Sequence, residues 1–385
     1  MAIPNEYDEI RPFEPEELDE AYSRILASEQ FRSVLAYLFP GVPVEAIEQK
    51  MRQCHSGLEF QKAFCYDFLM KLLAEQSEGC DIDTAAIDVS KRYTFVSNHR
   101  DIVLDSALLD KLLIDAGFST TCEIAIGDNL LTLPWVKDLV RINKSFIVER
   151  DLPMRQLLIA SKRLSEYMHY AISEKNENIW IAQREGRAKN SDDRTQPAIL
   201  KMMVMGGTGD IRERLLQLHI VPLAISYEYD PCDYLKAAEL QRRRDTADFH
   251  KQPGEDVNSM RQGIVGYKGR IHYHCAPCID DFLSNIPADT PKSEIFDLVA
   301  EHIDRQIHLN YRLYPCNYIA LDRLEGNSAH SDKYTSADVE TFDKYIAGQL
   351  AKIELPSRDD EFLLHAILTM YANPAKNQLA ALQNS

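Results

Sequence analysis

Apolar residues recur at helical spacing along the N-terminal part of the chain: Leu18, Tyr22, Ile25 and Leu26, then Phe31, Leu35 and Leu38, then Phe60, Phe64, Phe68 and Leu72. A repeat of three to four residues puts such side chains on one helical face. Residues 1–88 therefore read as a helical region, broken at Pro40, Gly41 and Pro43. Residues 78–88 are polar and weakly apolar, a natural boundary. Beyond it the rhythm changes. Short apolar runs at residues 93–97, 122–126, 145–148, 179–182, 221–227 and 270–274 read as strands. They alternate with helical stretches at residues 103–116, 154–173, 211–218 and 233–243. That alternation predicts an α/β domain over residues 89–290 with a substantially parallel sheet. Residues 291–385 are mostly helical again, and their apolar stripes predict helices that face a core.

Ligand sites of α/β sheets lie beyond the carboxyl ends of strands. Residues 98–105, 144–150, 183–194 and 227–233 all follow or end a predicted strand, so they are the candidate loops. In SNHRDIVLD, His99 stands at a strand end and Asp105 at the next helix start. Such an imidazole can take a proton from an attacking alcohol. A carboxylate on its other ring nitrogen fixes the tautomer. Asp101 competes for that place, its alternative role being a helix cap. KSFIVER delivers Arg150 from a strand end, and QREGRAKNSDDR gathers Arg184, Arg187, Lys189 and Arg194 around Glu185 and Gly186. Guanidinium groups suit phosphate because their planar fork donates two parallel bonds. The plainer reading of that loop is a solvated one, its bases paired with Asp192 and Asp193.

Together these blocks resemble the glycerolipid acyltransferase family, the glycerol-3-phosphate and 1-acylglycerol-3-phosphate acyltransferases. The order is His-x-Asp, strand-Arg, Glu-Gly-basic, then a Val-Pro strand, and the similarity runs from about residue 93 to 324. IVPLAISYEYDPCDYLKAAEL, KGRIHYHCAPC and IDRQIHLNYRLYPCNYIALDRL are closest to the glycerol-3-phosphate and dihydroxyacetone-phosphate branch. The resemblance implies a mixed sheet flanked by helices, with an N-terminal helical bundle and a C-terminal helical extension packed on it. It implies His99 and Asp105 as the catalytic pair, although five residues separate them where the family has four. It implies acceptor binding by Arg150, Glu185, Gly186, Arg187, Lys189 and Arg194. In KSFIVER, Lys144 stands where the family has Gly; in the third motif, Arg187 comes one place early and Lys189 one late. Val221 and Pro222 fit a fourth motif that shapes the acyl-donor side. The implied reaction moves a fatty acyl group from acyl-CoA, acyl carrier protein or acyl phosphate to a hydroxyl of a phosphate-bearing glycerol, without cofactor or metal. Rival readings are a non-catalytic acyl-lipid binding protein and an O-acyltransferase for amino-acid-based lipids.

Composition narrows the setting. With 60 Asp+Glu against 43 Lys+Arg the net charge is −17, which argues against a nucleic-acid binder. No apolar run is long enough to span a bilayer, and the start MAIPNEYD lacks the basic and apolar parts of a secretory signal. The expectation is a cytoplasmic protein with peripheral contact at the inner face of the membrane. Its eight cysteines then read as free thiols. Residues 130–140, with Trp135, read as a core helix, the alternative being a segment that covers the acyl chain or touches lipid. Gln241, Arg242, Arg243 and Arg244 are a candidate basic patch for an acidic carrier protein. MGGTGD lacks the Gly-Lys-Ser/Thr of a P-loop and reads as a connection. His272 and His274 share one strand face beside Cys275 and Cys278, and no second Cys/His pair follows, so no zinc site is expected.

Overall fold

The computed structural model describes residues 3–39, 41–252 and 254–383; residues 1, 2, 40, 253, 384 and 385 lie outside them. Among the described residues seven strands form one sheet: β1 (Cys80–Asp83), β2 (Thr94–Ser97), β3 (Cys122–Gly127), β4 (Ser145–Val148), β5 (Asn178–Ala182), β6 (Ile220–Tyr227) and β7 (Ile271–Cys275). Their order is β1-β7-β6-β2-β5-β3-β4. β6, β2, β5, β3 and β4 are mutually parallel, whereas β7 runs antiparallel to β6 and carries β1 parallel to itself. The sheet is thus mixed and largely parallel, flanked by helices. The carboxyl ends of β2 to β6 share one edge.

Period-two alternation sorts the strand residues onto two faces. Phe95, Trp180, Val221 and Leu223 face helices Tyr66–Gln76 and Leu104–Asp115. Val96, Ile181, Phe146 and Ala224 face helices Met154–Ser173, Pro197–Met203 and Lys292–Leu309. Both faces are buried, which is why the strands read as nearly continuous apolar runs. Each large side chain so covered contributes about 1.5–3 kcal/mol. Pattern reading missed β1 because CDID is polar and half-exposed. It is an edge strand, and Asp81 and Asp83 pair in register with His272 and His274 of β7.

The opposite edge, β4, is covered by the N-terminal segment. The Ile147 amide donates to the Ile10 carbonyl at 2.9 Å. The Arg141 guanidinium donates to the carbonyls of Arg11 (2.8 Å) and Asp8 (2.6 Å), holding that segment in place. Helices Leu18–Leu26, Glu29–Leu38 and Val44–Arg52 form a separate small core that includes Ile142 and abuts Trp135. At the other end, Pro315–Glu325, Ser336–Ala351 and Asp360–Gln383 pack with Asp233–Asp245 around Tyr371 and Ala237. Among the described residues no helix is long and apolar enough to cross a membrane. All eight cysteines are unpaired.

Candidate active site

Asn98 ends β2 by bonding the backbone of Ile225 in β6 twice, accepting from its amide (2.8 Å) and donating to its carbonyl (2.9 Å). The chain then turns outward with His99 held over the sheet edge. His99 Nδ1 lies 2.8 Å from Asp105 Oδ2. Asp105 is wholly buried, and the same oxygen accepts the amides of Arg100 (2.6 Å) and Asp101 (3.0 Å). The residue beyond the family's spacing is absorbed in a turn at Ile102–Val103, so helix Leu104–Asp115 starts late and Asp105 sits in its first turn. Asp101 takes the capping role: its Oδ1 accepts the amides of Val103 (2.9 Å) and Leu104 (2.8 Å). Burial, reinforced by Asp105, pushes the Asp101 carboxyl up. Behind His99 stands Trp180, edge-on at 5.7 Å, its indole donating to Ser97 Oγ at 3.0 Å.

His99 opens into a cavity of about 1330 Å³ with two unlike sides. One side is apolar, formed by Ile126, Leu131, Val136, Val140, Leu157 and Leu164. The other is charged, with Arg150, Arg184, Arg187, Lys189, Arg243 and Lys251 set among Glu149, Asp151, Glu185, Glu239 and Asp256. Arg150 crosses above Gly127, where any Cβ would meet its guanidinium within 3.0 Å, and it pairs with Glu185 at 3.3 Å. Gly186 has φ +67°, a backbone that glycine adopts without strain, and this turn sends Arg187 inward. Arg187 is 7% exposed and its Nη1 has no hydrogen-bond partner among the described residues. Lys189 pairs with Glu239 at 2.8 Å; burial, with Arg187 beside it, pulls its ammonium down to about 8. A buried guanidinium with one unpartnered nitrogen, beside an amine held below its usual range, suits an anionic group.

Residues 81–226 match the family model described as Acyltransferase. This segment is an acyltransferase domain. It contains β1 to β6 almost completely, and His99, Asp105, Arg150 and the Glu185 loop all fall inside it. No curated protein matches the chain. Among solved structures, the 1-acyl-sn-glycerophosphate (LPA) acyltransferase PlsC of Thermotoga maritima aligns over 76% of this chain and 94% of its own, with 14% identity and a TM-score of 0.38. A likeness that distant bears on neither substrate nor mechanism.

The acyltransferase domain brings most of the expected residues together and leaves some out. Arg194 does not line the cavity; Ser191, at φ +55°, redirects the chain, and Arg194 pairs with Asp192 and reaches Asn377. Val221 and Pro222 are buried within β6, away from the cavity. Lys144 has φ +57°, the region where glycine is at ease, which explains how it can occupy the family's glycine position. Its ammonium offsets the strain by donating to Thr120 Oγ1 (2.8 Å), Thr121 Oγ1 (3.1 Å) and Glu177 (2.8 Å). Helix Pro134–Ile142 divides its faces: Val136 and Val140 line the cavity, while Trp135 packs on Phe31. The arginines considered for an acidic carrier protein are engaged, Arg242 with Glu255, Arg243 with Glu239 and Arg244 with Asp359. MGGTGD is a connection ending in the Asp210 cap of helix Ile211–Leu216. His272 and His274 face the carboxylates of β1. Sequence reasoning missed Trp180, Arg243 and Lys251 as cavity residues; they sit far apart in the chain, and no spacing signals them.

Proposed function

We propose that the protein is a glycerolipid O-acyltransferase that moves a fatty acyl group from an acyl thioester to a hydroxyl of a phosphate-bearing glycerol. One observation carries this reading: the His99–Asp105 pair opens into a single cavity with an apolar wall and a charged wall in which the buried Arg187 Nη1 has no partner among the described residues. With Asp105 accepting Nδ1–H, His99 Nε2 keeps a free lone pair. That nitrogen takes the proton of the acceptor hydroxyl as its oxygen attacks the thioester carbonyl. The new C–O bond forms and the C–S bond breaks. The departing sulfur then recovers the proton from the imidazolium, which the buried carboxylate stabilises. Arg187, Lys189 and Arg150 hold the acceptor's phosphate, and the apolar wall receives the acyl chain. Such fixing removes much of the entropic barrier. Glu185, exposed and paired with Arg150, orients that arginine.

The test is to incubate purified protein with labelled acyl-CoA and either glycerol 3-phosphate or 1-acylglycerol 3-phosphate. Acyl carrier protein thioester and acyl phosphate serve as further donors. Labelled ester that disappears in His99→Ala supports the reading. Absence of product from every donor and acceptor pair overturns it.

A further inference from the structure

The amino end of β6 lies at the sheet edge opposite His99, because β6 and β2 run parallel and Ile220 pairs with Thr94. Three donor side chains from two segments meet there. His219 precedes β6, while Cys278 and Asp280 lie in the loop and first helical turn that follow β7. One donor atom of each, an imidazole nitrogen, the thiol sulfur and a carboxylate oxygen, lies within 4.8 Å of the other two. No other group of His, Cys, Asp or Glu meets that condition among the described residues. None of the three lines the cavity at His99.

The backbone fixes this meeting in advance. Past β7 the Ala276 amide donates to the Pro222 carbonyl at 2.9 Å, and the Ile279 amide to the Ile220 carbonyl at 2.9 Å. These bonds lay residues 276–280 along the start of β6. His219 has φ +46°, a left-handed backbone that a residue with a Cβ adopts at a cost. Its Nδ1 lies 2.6 Å from Asp280 Oδ2. The other carboxylate oxygen, Oδ1, is shielded from solvent and has no hydrogen-bond partner among the described residues. A shielded oxygen left so is short of a positive partner.

Donor chemistry selects the ion. Sulfur and imidazole nitrogen favour zinc, whereas magnesium and calcium take oxygen donors. Tetrahedral zinc bonds of about 2.0–2.3 Å set neighbouring donors about 3.3–3.6 Å apart. The trio is a small side-chain adjustment from that geometry. A thiolate and a carboxylate balance the charge of Zn2+, with neutral imidazole as the third ligand and solvent as the fourth. Of the surrounding charges, Lys91 acts on His219 and Asp281 on Cys278, and the two offset each other. His219 is exposed and the other two are half-buried, so an ion can enter from solvent.

We propose that His219, Cys278 and Asp280 form a zinc site that clamps the start of β6 to helix Asp280–Asn285. On binding, the thiol releases its proton to solvent and the metal replaces the hydrogen bond between His219 and Asp280.

The test uses the full chain, stripped with chelator, and the metals alone. Calorimetry should show one Zn2+ per chain, and added Zn2+ should raise the melting temperature, an effect that chelator reverses. Mg2+ should do neither. Co2+ should give a thiolate-to-metal charge-transfer band in the near ultraviolet. Cys278→Ser should abolish that band and weaken Zn2+ binding at least about tenfold. His219→Asn, a residue tolerated in the left-handed region, should weaken it similarly. His274→Asn, removing the imidazole beside Asp83, should bind as wild type does. Wild type that binds no Zn2+, or binds Mg2+ equally well, overturns the proposal. So does wild-type affinity in either ligand variant, since the metal is then an adventitious ion only. Loss of binding in His274→Asn alone assigns the metal to β7 and overturns it too. Should a ligand variant fold poorly, the wild-type cobalt band decides, and its absence sinks the site.

Discussion

Arg100 and Asp193, 93 positions apart, form a buried two-pronged ion pair, Nη1–Oδ1 at 3.1 Å and Nη2–Oδ2 at 2.7 Å. It ties the residue after His99 to the end of the basic loop. Tyr311 donates to Asp193 at 2.5 Å, and Lys236 donates to the Arg100 carbonyl at 3.0 Å. Removing one partner strands a buried charge. Arg100→Ala should therefore lose about 3–5 kcal/mol in urea unfolding, whereas the double replacement Arg100→Met/Asp193→Leu should lose much less. Equal losses in the two would show that the pair's charges are already solvated.

Asp105 and Asp101 should separate cleanly. Asp105→Asn keeps the shape but accepts the imidazole proton poorly, and kcat should fall about 10³–10⁴-fold. Asp101→Ala should leave kcat within about a few-fold and cost roughly 0.5–2 kcal/mol through the lost cap. Steady-state kinetics with thermal unfolding of both variants makes the check.

Lys189 predicts a pH dependence. Its folded value of about 8 lies below the usual lysine value, so the folded protein releases this proton earlier than the unfolded chain. Stability from this group is therefore least below pH ~8 and is gained between there and about 10.4. Acceptor binding moves the other way. Above pH ~8 the site loses a positive charge while the phosphate stays fully ionised, so kcat/KM for the acceptor should fall. Lys189→Arg should flatten that limb. An unchanged limb in this variant would assign it to another group.

Lys144 tests the strain at its left-handed position. Both Lys144→Gly and Lys144→Ala lose the bonds to Thr120, Thr121 and Glu177. Only glycine relieves the backbone. The Gly variant should be the more stable by about 1 kcal/mol in denaturant unfolding.

Much of this arrangement was legible in the chain. Apolar runs located β2 to β7 because both sheet faces are covered, and the resemblance named His99, Arg150 and the Glu185 loop before any geometry. β1 escaped because its exposed, aspartate-bearing edge has no apolar signature. The choice between Asp101 and Asp105 depended on where one helix begins, and local spacing left it open. Arg194 stood in sequence behind Arg187 and Lys189 as a further base of the loop, yet Ser191 turns it toward Asn377. The Arg100–Asp193 pair had no sequence signal, since only the folded sheet edge brings the two loops side by side.

The N-terminal segment has a consequence of its own. Ile10 gives its carbonyl to β4 and its side chain to the cavity wall. Trimming the chain beyond Phe13 would leave β4 as a naked template for intermolecular pairing. Such a truncation should clump on standing, visible as rising light scatter, so fusion partners and affinity tags belong at the far terminus.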